Sequence, residues 1–102
     1  MLFNKNKKVI CKDGFSMSVQ ANSGAYCSPR IDGAKQYWEV EVGYPTEDEV
    51  LIIEYAEDPS KPTDTVYGYV PVNIIYLVIT KHGGMVSGQV PSGVPVYEHL
   101  KL

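Results

Sequence analysis

The chain reads as one α+β domain over residues 1–102. The expected architecture is a mainly antiparallel sheet of four to five strands with two helices on one face, in the order β-β-β-α-β-α-β. Three observations predict it. Phe15, Met17, Val19 and Ala21 alternate with Ser16, Ser18 and Gln20, giving one buried and one wet strand face. Val72, Ile75, Tyr76 and Ile79 recur at helical spacing. The 102 residues are 44% hydrophobic, enough for a core without metal or disulfide staples.

The elements follow in order. Met1 to Asn6 is a lead-in. Lys7–Lys12 and Phe15–Ala21 flank Asp13-Gly14, a pair suited to a type I′ hairpin turn. Asn22 to Gln36 is rich in Gly, Ser, Asn, Asp and Pro. At about fifteen residues it is a long loop, of the kind that is often functional or mobile. Tyr37–Tyr44 is a strand that sends Trp38, Val40 and Val42 one way, and Tyr37, Glu39 and Glu41 the other.

Pro45–Ala56 predicts the first helix. Thr46 and Glu49 have the spacing of a capping box, and Glu47 and Asp48 fall in the first turn. Val50, Leu51 and Ile53 would then pack on the sheet, with Tyr55 near the helix end. Glu57–Asp64 is a Pro-rich, charged connection. Thr65–Val70 is a strand with Val66 and Val70 on one face and Tyr67 and Tyr69 on the other. Gly68 inside it marks a bulge or a close backbone approach.

Pro71 leads into the second helix, Val72–His82, which is apolar nearly all round and so expected to be buried on more than one side. Lys81 and His82 suit its last turn, where His82 is expected as a solvated cap, and Gly83 suits a left-handed stop. Met85–Val90 is a short last strand, and Pro91–Leu102 an extended tail or edge strand.

Charge and cysteine usage narrow the function. The net charge of −3 gives no general attraction to nucleic acid or anionic membrane, although Lys5, Lys7, Lys8 and Lys12 lie close in sequence. No apolar run approaches the roughly 18 residues of a membrane span. The N-terminal MLFNKNKKVI lacks the apolar centre of a signal peptide, which favours a reducing compartment and free thiols at Cys11 and Cys27. Cys11, Cys27, His82 and His99 offer no zinc-like spacing, and no cofactor is expected.

Candidate chemistry concentrates in Tyr26-Cys27-Ser28-Pro29-Arg30. Cys27 as a nucleophile needs a cation or histidine beside it, with Arg30, His82 and His99 as the available partners. The plainer reading makes Cys27 a small buried residue, with Tyr26 anchoring the loop. The acidic residues from Glu39 to Asp58 form either a solvated face or a surface for a basic partner. The eight tyrosines are the more suggestive set. Tyr26, Tyr37, Tyr44, Tyr67 and Tyr69 fall partly outside the expected core. That pattern suits a protein interface, or tyrosines with buried rings and wet hydroxyls. The candidate binding residues are therefore Tyr26, Cys27, Arg30, Tyr37, Glu39, Glu41, Tyr67 and Tyr69, with no catalytic set.

The segments DGFSMSVQA, AYCSPR, YWEVEVGYP, YAEDPSKPTDTVYGYVP and HGGMVSG, from Lys12 to about Gly88, resemble small accessory proteins of tailed bacteriophages and prophages. The resemblance implies a protein working in the host bacterial cytoplasm, with no catalytic residues to carry over. By analogy, small acidic phage proteins often inhibit host complexes, CRISPR and other defence systems included. The leading expectation is a non-enzymatic protein that binds and modulates a host complex. The alternatives are a small ligand-binding protein or enzyme using the Tyr26–Arg30 loop, and a self-associating virion assembly component.

Overall fold

The computed structural model describes residues 5–99. The outermost parts of the lead-in and of the tail, residues 1–4 and 100–102, lie outside the described residues. Five strands form one antiparallel sheet: β1 (Val9–Cys11), β2 (Ser16–Gln20), β3 (Glu39–Gly43), β4 (Val66–Pro71) and β5 (Met85–Ser87), in the spatial order β4-β3-β2-β1-β5. One α-helix, α1 (Val72–Lys81), packs on one face. The α+β class and antiparallel sheet are as the sequence predicts, but among the described residues there is one α-helix, not two.

Pro45–Ala56 is an irregular segment ending in a single 3₁₀ turn, Ile53–Tyr55. The residues of the apparent capping box are used elsewhere. The Thr46 hydroxyl accepts the Ser16 amide at 3.0 Å. Glu49 turns its carboxylate inward, where Oε2 accepts the Leu51 amide at 2.9 Å. Ile52 enters the core, while Val50 faces solvent. A helix stripe of Val50, Leu51 and Ile53 therefore does not form.

The first hairpin differs in its turn. Cys11 pairs with Phe15 around a three-residue loop, Lys12-Asp13-Gly14, with Gly14 at φ +95°. The extra residue lets Asp13 Oδ1 accept the Phe15 amide at 2.8 Å and the Asp13 amide donate to the His82 carbonyl at 3.2 Å. The hairpin is thereby tied to the end of α1.

The core lies between the sheet and α1. Val9, Met17, Val19, Val40, Val42 and Val70 meet Ile75, Val78 and Ile79 of the helix, all fully buried. Each such aliphatic side chain contributes about 1.5–3 kcal/mol relative to exposure. The helix is buried on one side only: Tyr76 and Leu77 are exposed. Gly83, at φ +92°, follows its end as expected.

Both sheet edges are covered. The Glu57 amide donates to Val66 O at 2.9 Å, and Ala56 bridges Tyr67, beside β4. The tail covers β5, with Met85 N donating to Tyr97 O at 2.8 Å and His99 N to Met85 O at 3.0 Å. Neither edge is left as a long unpaired template.

Candidate functional site

The outer face of the sheet is built around a bulge. β3 pairs Val40 with Val70 and Val42 with Tyr67, so Glu41 alone stands opposite both Gly68 and Tyr69. This extra residue brings Tyr67 and Val70 to the same side. Strict alternation places Tyr67 outward with Tyr69; the bulge instead buries Tyr67 completely and leaves Tyr69 44% exposed. Tyr69 has φ +53°, a conformation an aromatic residue rarely adopts. Such a backbone costs on the order of 1–3 kcal/mol and persists only where neighbours hold it.

Tyr26 supplies that hold. Tyr69 N donates to Tyr26 O at 3.0 Å. Glu41 Oε2 accepts Tyr26 N at 3.0 Å. The loop residue is thus pinned from both sides, and its side chain lies over Gly68. A Cβ at Gly68 would sit 3.2 Å from Tyr26 Cβ, closer than ordinary contact. The Tyr26 and Tyr69 ring centroids are 6.1 Å apart, with the rings inclined at 40°. Arg30 Cζ stands 5.3 Å from the centre of the Tyr26 ring, within cation–π range.

Tyr26, Tyr55, Glu57, Gly68 and Tyr69 line a shallow cavity of about 370 Å³. Tyr55 comes from the 3₁₀ turn, and Glu57 from the segment paired to β4. A second concavity of about 250 Å³ on the sheet includes Ser18, Gln20, Glu41 and Tyr44. Tyr44 is also exposed and also has a positive φ, +49°.

The structure brings together four of the residues singled out from sequence: Tyr26, Arg30, Glu41 and Tyr69. Glu39 lies half-buried on the neighbouring strand position, where its backbone bridges Ser28. Tyr37 is core, not surface, because regular pairing starts only at Glu39. Its hydroxyl donates to Ile31 O at 2.7 Å and accepts the Ala34 amide at 3.2 Å, holding the long loop. Trp38, expected with Val40 and Val42, is instead 61% exposed. Tyr67 hydroxyl donates to Pro62 O.

Cys27 is buried, and its thiol donates to Asn22 O at 3.2 Å. Burial pushes its pKa up, against smaller lowering effects of that hydrogen bond and of Arg30. Cys11 is pushed up to about 11 by burial and by the nearby Asp13 charge. Both thiols are free. Sequence reasoning missed Tyr55 and Glu57, whose positions depend on a chain reversal with no local signal. Gly68, which the sequence marks as a bulge or a close approach, lies in the bulge with Tyr26 against it.

A separate cluster surrounds His82, which is buried rather than solvated. Nδ1 lies 2.6 Å from Asp13 Oδ2 and Nε2 lies 2.7 Å from Glu49 Oε1. Lys81 Nζ reaches Glu49 Oε2 at 3.0 Å, Glu47 stands 3.8 Å from Nδ1, and Phe15 stacks on the imidazole at 4.0 Å. Burial alone lowers the His82 pKa, but hydrogen bonds to Asp13 and Glu49 outweigh it and the net direction is upward. With both ring nitrogens engaged by carboxylates, neither lone pair is free to take a proton from a substrate. The cluster ties α1, the first hairpin and the Pro45–Ile52 segment together. Among the described residues no three His, Cys, Asp or Glu side chains are arranged to hold a metal ion, and no helix is long and apolar enough to cross a membrane.

No family model, curated protein or solved structure matches this chain.

Proposed function

We propose that this chain is a non-enzymatic binding protein that engages a host protein complex through the tyrosine and carboxylate face over the β4 bulge. In this reading it is a phage or prophage accessory protein acting in the bacterial cytoplasm, and modulation of a defence complex, as an anti-CRISPR-like inhibitor does, falls within its scope. The observation that carries the reading is the convergence of exposed Tyr26 and Tyr69 and half-buried Tyr55 with Glu57 around one cavity, on a backbone held in an unfavourable conformation at Tyr69. Tyrosine offers large contact area at low entropic cost, and it is enriched in interfaces. The raised pKa of buried Cys27 and the occupied nitrogens of His82 weigh against a nucleophile or general base. The test is capture from bacterial lysate by tagged wild type, with Tyr69→Gly as comparison. Retention of one stoichiometric complex by the wild type alone supports the reading; an empty wild-type capture counts against it.

A second reading, self-association as an assembly component, draws on a different surface. Trp38, Tyr76, Leu77 and Pro95 form an exposed apolar area beside α1. A discrete oligomer by size-exclusion chromatography with light scattering, dissociated by Leu77→Glu, would favour it.

A further inference from the structure

We infer that the cavity between Tyr26, Tyr55 and Tyr69 is a receptor for an arginine side chain presented by a partner protein. The inference rests on the binding reading above and names the chemistry that the face recognises.

Three features point to a guanidinium. First, the lining is three tyrosines, one glycine and one carboxylate, Glu57. The negative faces of aromatic rings attract a cation, and the effect grows as the cation leaves water. Second, the Tyr26 and Tyr69 rings are 6.1 Å apart and inclined at 40°, an open angle rather than a closed stack. A planar group can lie against one ring and present its edge to the other. Gly68 forms the floor, where any side chain would press against Tyr26. Third, the molecule already contains the interaction: Arg30 Cζ stands 5.3 Å from the centre of the Tyr26 ring. Arg30 is not among the residues that line the cavity.

Glu57 selects the ligand's charge. Its side chain is exposed, and its backbone is fixed by the hydrogen bond to Val66 O at 2.9 Å. A carboxylate beside aromatic rings matches the fork of arginine, which pairs two N–H groups with two oxygens while its plane stacks. Lysine offers a point charge without the plane. Glu54 and Asp58 flank Tyr55 and Glu57 in sequence and add to the negative potential around the opening, and the chain as a whole is at −3.

The test is a ¹⁵N–¹H NMR titration of the full chain with the peptide Ac-Gly-Arg-Gly-NH₂. Matched peptides carrying lysine, or the uncharged isostere citrulline, are the comparators. The expected result is saturable shifts confined to Tyr26, Tyr55, Glu57, Gly68 and Tyr69. The arginine peptide should bind about tenfold tighter than the citrulline peptide, and tighter than the lysine peptide. Tyr69→Gly, which suits the positive φ and should fold, is expected to weaken binding about tenfold. Glu57→Gln is expected to weaken it severalfold and to reduce the preference over citrulline. The proposal is overturned by unshifted cavity amides at millimolar peptide, by equal binding of citrulline, or by unchanged binding in Tyr69→Gly. If those results come with lysate capture that still depends on Tyr69, only the guanidinium assignment falls. If capture fails as well, the binding reading falls with it.

Discussion

The amide of Tyr69 donates to the carbonyl of Tyr26 across 3.0 Å, joining the long loop to the bulge in β4. In a regular ladder that amide would serve the neighbouring strand. Here the extra residue opposite Glu41 frees it, and Glu41 then receives the Tyr26 amide in turn. Two exposed rings are thus placed by backbone geometry rather than by packing. The arrangement spends strain at Tyr69 to hold a surface in shape, which gives the first prediction. Gly68→Ala places a Cβ 3.2 Å from Tyr26 Cβ, so Tyr26 must move by a few tenths of an ångström. Stability should fall by about 1 kcal/mol or less, while capture of the partner falls more steeply. Urea unfolding and capture measured on the same preparation check both halves.

Glu41→Ala removes the acceptor of the Tyr26 amide. Loss of this charge-assisted bond should cost about 1–2 kcal/mol. It should also broaden or shift the Tyr26 and Tyr69 amide resonances together, because the two residues are held as one unit. Movement of the Tyr26 resonance alone would show that the bulge does not depend on the loop.

The His82 cluster gives a pH dependence with two limbs. The His82 pKa is raised above its ordinary 6.5. Its stabilisation is therefore complete below that value and is lost as pH rises through the raised folded value. Asp13 is lowered, chiefly by the hydrogen bond from the Phe15 amide, and Glu49 is lowered despite burial by bonds from Leu51, His82 and Lys81. Their ordinary values are 3.8 and 4.5, so their contribution is complete above that range and fades as pH falls through the depressed folded values. Half of the Asp13 side chain is exposed, so Glu49 carries more of the acid limb. Denaturation midpoints across pH should show a plateau between the limbs. His82→Ala should lower the plateau by about 3 kcal/mol, since buried Glu49 Oε1 loses its partner while only Oε2 stays engaged, by Leu51 and Lys81. It should also remove the loss of stability that begins above 6.5, leaving the fall above 9.0 that buried Cys11 causes. A loss of stability that still begins near 6.5, below the thiol range, in this variant contradicts the assignment.

Cys11 and Cys27 are buried with raised pKa values. Both thiols should react slowly with an aromatic disulfide reagent at neutral pH, and rapidly once denaturant unfolds the chain. Fast modification of Cys27 in the folded protein would reopen a chemical role for the loop.

The sequence was informative where side-chain pattern decides structure. β2 and α1 each show their period, and Gly83 and the Asp13-Gly14 pair mark reversals that occur. It was less informative where distant partners decide. Thr46 and Glu49 have capping-box spacing, but Ser16 and His82 claim their side chains, so no helix forms at Pro45–Ala56. His82 looks like a solvated cap until Asp13 and Glu49 close on it from segments 69 and 33 residues away. Alternation in β4 fails at one residue, and that slip exchanges Tyr67 for a core position while leaving Tyr69 outside. Half of the candidate face was therefore visible as a tyrosine surplus around Tyr26 and Tyr69. The other half, Tyr55 and Glu57, depends on a segment whose irregular path has no periodic signal.

The most direct measurement is quantitative capture from bacterial lysate by three proteins in parallel: wild type, Tyr69→Gly and Leu77→Glu. The first variant alters the tyrosine face and the second the apolar helix side. Wild type and Leu77→Glu should retain the same complex in equal amount, and Tyr69→Gly, folded by circular dichroism, should lose it. Retention by Tyr69→Gly, or its loss in Leu77→Glu, would contradict the claim and move the interface to the helix side.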